Sequence, residues 1–163
     1  LLPILVENDE GLWEADAIAC RLSQITGSEF WRFGTTAPDM IRWIIWGRSN
    51  FVAACYKLHF EMVTMRRYGL GATSEAEVQS GLKQFAKYAV ILNDHLAASE
   101  WLLADGLFYA DFRMASVLPF ADLARLPVDQ YEHLSEWHNR LLRIKAWREP
   151  FDGLEAPELP PVT

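Results

Sequence analysis

Basic runs are missing from this 163-residue chain. Its 15 Lys and Arg are outnumbered by 22 Asp and Glu, giving a net charge of −7. Nucleic acid and anionic membrane surfaces are therefore poor partners. Cysteine is scarce. Cys20 and Cys55 are the two present, too few for a disulfide framework and not in a C-x-x-C, so they read as buried thiols of a reducing compartment. No apolar run approaches the roughly 20 residues that cross a bilayer. The opening Leu-Leu-Pro-Ile-Leu-Val lacks the basic start of a secretory leader and stops at Glu7. These absences point to a soluble cytoplasmic protein. An initiator Met is also absent, and the chain opens inside an apolar strand pattern, which points to a segment upstream.

What is present is apolar mass. Half the residues are hydrophobic, with seven Trp and nine Phe, enough for a packed core of one domain, or one domain plus a remnant. Pro3 to Val6 reads as a strand, Asn8-Asp9-Glu10-Gly11 as a turn, and Leu12-Trp13 as the returning strand. Such a hairpin is marginal in water and must lean on other elements. Ala17, Ile18, Cys20, Leu22 and Ile25 then suit an amphipathic helix stopping near Gly27. Gly27 to Ala37 is a linker anchored by Phe30, Trp31 and Phe33.

The rest reads as helices. Pro38 to Tyr68 is one long helical stretch with Gly47 as its only breaker, an expected capping box at Thr36 and Asp39, and a stripe of Ile41, Ile45, Val52, Cys55, His59 and Met62. Ser74 and Glu77 form a second capping box. Val78, Leu82, Phe85, Ala89, Leu92 and Leu96 then make an interhelical seam, so the two long helices should pack antiparallel. A shorter helix from Ala110 to about Ala124 should kink or end early at Pro119. Asp129 to Lys145 is the last main helix, with Leu134, Trp137, Leu141 and Ile144 on one face. A proline-rich tail follows, holding Pro150, Pro157, Pro160 and Pro161. His133 and His138 are five apart and share no helical face, so no metal pair is expected.

Four features occur in order: the strand Leu2-Pro3-Ile4-Leu5-Val6; the hairpin followed by Leu12-Trp13-Glu14-Ala15-Asp16-Ala17-Ile18; Ala110-Asp111-Phe112 opening a helix after a glycine-containing loop; and Tyr131 to Trp137 leading through Arg140-Leu141 to Ala146-Trp147-Arg148. Together they resemble the glutathione transferase family over essentially the whole chain. Phe30-Trp31 and Gly69-Leu70-Gly71-Ala72 resemble its bacterial-type members. The resemblance implies an all-α domain over residues 28–163, with residues 1–27 as a short β-hairpin and helix remnant of a thioredoxin-like glutathione-binding domain.

It also implies a site. Leu2 would offer its backbone to the cysteinyl unit of glutathione, in the manner of an added strand, with Pro3 as a cis-proline. An ordinary edge-strand proline is the competing reading. Glu14 would meet the γ-glutamyl amine, or else be a solvated acid favouring the helix dipole. Ala15 stands where the family places a Ser whose hydroxyl helps hold the carboxylate, so one hydrogen bond is lost. Asp16 would add a second negative charge nearby. Trp43, Trp46, Asn50 and Tyr56 lie on the helix that borders the family's electrophile pocket. They either line it or belong to the core. His59 reads as a core or interface residue. Asp111 is structural, although Phe108 replaces its usual Ser or Thr partner. The thiol-activating residue belongs upstream of Leu1, so the chain alone should be inactive. The implied activity is conjugation of glutathione, as co-substrate, to small hydrophobic electrophiles by a homodimer active in detoxification. The competing reading is a non-catalytic ligand-binding or docking module.

Overall fold

The computed structural model describes residues 2–155 and 159–162; Leu1 and the tail's Pro157 lie outside them. Two short strands, β1 (Ile4–Glu7) and β2 (Glu10–Trp13), pair antiparallel with Ile4 opposite Trp13 and Glu7 opposite Glu10. The turn is the two residues Asn8 and Asp9, both at positive φ, so the hairpin is tighter than the four-residue turn expected. Asn and Asp tolerate that left-handed backbone because their short polar side chains cost little there. Helix α1 (Ala15–Thr26) follows and stops at Gly27, which takes the left-handed conformation. Arg21 on α1 grips Glu7 on β1 with two hydrogen bonds of 2.8 and 2.6 Å. The hairpin is thus held to its own helix.

The expected long helix is broken. Helix α2 (Ala37–Ser49) and α3 (Phe51–His59) are separated by Asn50, whose φ of −128° and ψ of −87° are not helical. The Asn50 amide instead donates to the Trp46 carbonyl at 2.9 Å, a local bond that competes with the helical ladder. A wider π-type turn, Phe60–Thr64, leads into the short α4 (Met65–Arg67). Gly47, the anticipated breaker, lies inside α2 and serves packing. A Cβ there would come within 2.7 Å of the Met114 sulfur, so its lack of a side chain lets the later helix α6 (Tyr109–Ala115) approach.

Helix α5 (Glu75–Ala98) runs antiparallel to α2–α3. Lys57 meets Ser80, Phe51 meets Phe85, Trp46 meets Tyr88, and Trp43 meets His95, rising numbers against falling ones. The expected seam on α5 is buried, except that Gly81 replaces Leu82 at full burial. At Gly81 an added Cβ would stand 2.9 Å from Leu58 Cγ. The capping at Ser74 is rearranged. Its hydroxyl accepts from the Glu77 N–H at 3.4 Å, but its own N–H donates to buried Glu61 on the π-type turn at 2.9 Å. Glu77 turns instead to Lys57. Thr36 does not cap α2; its hydroxyl donates to the Phe33 carbonyl.

The expected Ala110–Ala124 helix ends early. Helix α6 stops at Ala115, Pro119 sits in a tight 3-10 turn over Leu118–Phe120, and α7 (Ala121–Ala124) follows. Helix α8 (Glu132–Leu141) buries Leu134, Trp137 and Leu141 completely, as its pattern predicts. Its first N–H groups are capped from afar: the Asn93 side chain on α5 accepts from His133 and Leu134 at 3.0 and 3.2 Å. Short α9 (Lys145–Arg148), whose Trp147 packs edge-on against Phe112, leads to the tail.

Asp111 has no solvent exposure. Its carboxylate accepts the Leu102 N–H at 3.0 Å, the Phe108 N–H at 3.2 Å and the Trp137 indole N–H at 2.9 Å. The Phe108 ring cannot accept a bond in return, so the Asp111 N–H goes to the Phe108 carbonyl at 3.0 Å. Burial pushes the Asp111 carboxyl above its ordinary range, against the pull of those three donors. The residue is structural, as its sequence context implies.

Two outcomes follow for stability. Asp111→Ala strands three buried N–H groups and should cost about 3–5 kcal/mol, whereas Asp111→Asn keeps one acceptor oxygen and should cost about 1–3 kcal/mol. Gly81→Ala drives a methyl into the branched carbon of Leu58 and should cost about 1–2 kcal/mol net of its better helix propensity. Urea unfolding followed by tryptophan fluorescence reads all three.

Candidate functional site

The strand register sets the site's first wall. With Ile4 opposite Trp13, Pro3 falls level with Glu14. The Leu2–Pro3 peptide is cis, and both residues are exposed. Glu14 is the residue before α1 and sits at φ 72°, ψ 120°. A non-glycine residue in that region carries about 1–3 kcal/mol of strain, and such strain collects at functional positions. No side chain caps this end of α1 among the described residues. The first N–H groups, those of Ala15 and Asp16, have no partner within the helix and face the helix-start field. That is a place for an anion.

Asp16 does not crowd it. Its carboxylate accepts the Tyr109 hydroxyl at 2.8 Å and the Arg113 Nε–H at 2.9 Å. Burial, then the bond to Asp16, pushes the Tyr109 phenol well above its ordinary range and keeps it a donor. This cluster ties α1 to α6 across more than 90 positions of sequence. The second negative charge expected beside the ligand is therefore occupied within the protein. Nothing in the local sequence near Asp16 could announce partners that far away. Ser23 supports the same joint, accepting the Trp31 N–H at 3.1 Å. Phe30 packs on Tyr109 and Phe112 with ring centres 5.7 and 5.3 Å apart.

The second wall is a cavity of about 690 Å³ between α2–α3 and the α6–α7 region. Arg48, Val52, Tyr56 and His59 line one side at helical spacing; Arg113, Ser116, Val117 and Phe120 line the other. Arg48 reaches toward Glu14 at 4.0 Å, and Arg113 holds Asp16. Both arginines of the cavity thus meet the two acids that begin α1. At the far end His59 packs edge-on against Phe120 with ring centres 5.3 Å apart. Burial, helped by nearby Arg67, pushes the His59 imidazole below its ordinary value, which favours the uncharged ring.

Of the aromatics expected near such a pocket, Tyr56 lines this cavity. Trp43 is packed in the core against Trp46 and the His95 ring. Trp46 and Asn50 line a shallow groove on another side of α2, with Pro38, Ile41 and Ile45. The Ile41 and Ile45 end of the expected stripe is exposed, and the buried positions are Met40, Trp43, Ile44, Gly47, Phe51, Ala54, Cys55 and Leu58. Both stripes have helical spacing, and only the neighbouring helices choose between them. Cys55 is buried and Cys20 partly so; burial pushes both thiols up. Among the described residues no His, Cys, Asp or Glu cluster could hold a metal, and no helix is long and apolar enough to cross a membrane.

The same arrangement of elements recurs in solved structures. Glutathione S-transferase-I bound with lactoylglutathione superposes with a TM-score of 0.83 at 22% identity, covering 91% of this chain and 73% of that one. A glutathione S-transferase from Rhodospirillum rubrum gives 0.82 at 22% identity over 99% and 75%. Glutathione transferase F7 from Populus trichocarpa gives 0.82 at 17% identity over 96% and 76%. At these identities the likeness speaks for the fold. The family model for the glutathione S-transferase C-terminal domain matches residues 44–145. That span holds the second half of α2, with α3 and the antiparallel α5, the buried Asp111 and the Trp137 helix, and the chain belongs to the glutathione S-transferase family.

Proposed function

We propose that this chain supplies the helical half of a glutathione-conjugating site and the last part of its glutathione-binding half. Residues 1–27 are then the end of a thioredoxin-like domain and residues 28–163 the helical domain. One observation carries the reading. Glu14 is held at positive φ, level with Pro3, at the open start of α1 and 4.0 Å from Arg48, which lines the cavity.

Glutathione brings one ammonium and two carboxylates. In this reading Glu14 receives the ammonium, the N–H groups of Ala15 and Asp16 receive the neighbouring carboxylate, and the Leu2 backbone pairs with the cysteinyl unit beside Pro3. The sulfur then points to the cavity. Its thiolate forms a bond to the electrophilic carbon, and the leaving group departs with its electron pair. The group that activates the thiol comes from outside this chain. The electrophile is a small, largely apolar molecule that fits between Val52, Tyr56 and Phe120. Ile41 and Ile45 beside Trp46 on α2, and Ile91 one turn from Tyr88 on α5, are exposed. They supply an apolar surface on which a second copy would make a homodimer. A cytoplasmic location fits these thiol-based roles.

Ala15 favours a second reading, a non-catalytic ligand-binding or docking module, because it removes a hydroxyl from the carboxylate site. The two readings separate in a protein that carries an upstream glutathione-binding segment joined to this chain. Turnover of 1-chloro-2,4-dinitrobenzene with glutathione, or retention on immobilised glutathione, is the expected result. No turnover at any glutathione concentration overturns the conjugation reading. Ala15→Ser restores one hydrogen bond of about 0.5–1.5 kcal/mol. It should tighten glutathione about two- to tenfold in a direct binding titration.

A further inference from the structure

The cavity is not uniformly apolar. Arg48 and Arg113 both line it, with no acidic residue among the lining side chains. Each meets an acid at the start of α1, Arg48 with Glu14 and Arg113 with Asp16. The two arginines are not equivalent. The Arg113 side chain is 24% exposed, with its Nε–H given to Asp16 at 2.9 Å and an Nη to Ser116 at 3.4 Å. Arg48 is 62% exposed, and its ion pair is a single long contact of 4.0 Å to Glu14. A guanidinium offers five N–H donors in a planar fork suited to a carboxylate. Among the described residues, Glu14 at 4.0 Å is the only acid that this fork meets.

The residues behind it are apolar or neutral. Val52 and Tyr56 follow Arg48 at successive intervals of four, on one side of the helical segment despite the break at Asn50. His59 and Phe120 close the far end, eleven positions and roughly 16 Å along the helical rise from Arg48. His59 is pushed below its ordinary value by burial and by nearby Arg67, and the two guanidiniums among the described lining residues, Arg48 and Arg113, lie at the other end. A ligand that fits this gradient has an apolar or aromatic body and an anionic group at one end. Occupancy of Glu14 by an ammonium would also draw away the acid that Arg48 meets.

Resting on the conjugation reading of this cavity, we propose that its electrophilic substrates carry a carboxylate, and that Arg48 is the specificity-determining residue that receives it. The apolar body lies along Val52, Tyr56 and Phe120, and the reacting carbon faces the glutathione sulfur near the mouth. A charge-assisted pair at a half-open site should favour the anion by about tenfold at low ionic strength, less as salt screens it.

The test uses the chain itself and two nitroaryl chlorides of nearly equal shape, 2-chloro-5-nitrobenzoate and its methyl ester, in which the reacting carbon adjoins the one that bears the carboxylate. Calorimetric titration at low salt should show the carboxylate binding about tenfold tighter. Arg48→Gln should bring the ratio of the two affinities to about one, and Arg48→Lys should keep part of it. Arg48 is exposed, so an unchanged circular dichroism spectrum and melting temperature are expected for both variants. Equal binding of the two compounds, tighter binding of the ester, no binding of either, or a ratio unmoved by Arg48→Gln each overturns the assignment. So does a loss of glutathione affinity in Arg48→Gln with the ratio retained, because Arg48 would then hold glutathione. If the carboxylate binds through Arg48 but neither chloride is conjugated once the upstream segment is supplied, the conjugation reading fails alone. If both are conjugated at equal efficiency, the carboxylate assignment fails alone.

Discussion

The Asp111 carboxylate is the point on which the helical domain is assembled. It joins the Leu102 backbone, the start of α6 and the Trp137 ring of α8 through three donors. The chain continues outward. The Leu102 carbonyl accepts the His95 Nε2–H from α5 at 3.0 Å, and the His95 ring lies 4.5 Å from Trp43 on α2. Four helices are thereby fixed relative to one buried acid. A carboxylate without exposure is costly to desolvate, and it is tolerated because each of its bonds replaces one that water would have made. The network fixes geometry more than it adds net stability; the burial of Phe51, Phe85, Leu92, Leu134 and Trp137 supplies that, at about 1.5–3 kcal/mol per large side chain.

The candidate site lies beside the α1–α6 joint of this frame. Helix α6 starts at the Asp111 junction and carries Tyr109 and Arg113, which reach Asp16. The same buried acid therefore positions the residues that dock α1, and α1 in turn sets Glu14 4.0 Å from Arg48, which lines the cavity. The hairpin contributes through register alone, with Pro3 level with Glu14. Gly47 adds a further constraint, since the close approach of α6 to α2 sets the spacing between the walls. Site geometry and core packing are thus coupled through two residues, Asp111 and Gly47, that touch no ligand.

Much of this was legible in the order of residues. The α5 seam, the buried face of α8 and the stop at Gly27 follow from periodicity and capping residues, and the resemblance to glutathione transferases implied the all-helical class and a structural Asp111. Local rules failed where a distant partner competed. The Ser74 cap took Glu61 in place of Glu77 as acceptor for its N–H. Helix α8 was capped by Asn93 across 40 positions. The Pro38–Tyr68 stretch broke at Asn50, whose side chain offered its backbone a bond outside the ladder. Gly47, the poorest helix former in the interior of that stretch, stayed helical, and Met114 fills the space above it.

The sequence by itself determined most of the helical inventory: the seam of α5, the buried face of α8, the stop at Gly27 and the residues that begin α1. Those properties depend on neighbours within a few positions, and no distant partner competed for them here. The tertiary structure alone decided which face of α2–α3 is core, that Asp16 is consumed by Tyr109 and Arg113, and that Arg48, Tyr56 and His59 share a cavity with Phe120. That segment is apolar on nearly every side, so periodicity offers more than one stripe. Only the helices packed against it, far away in the chain, select which stripe is buried and which lines the site.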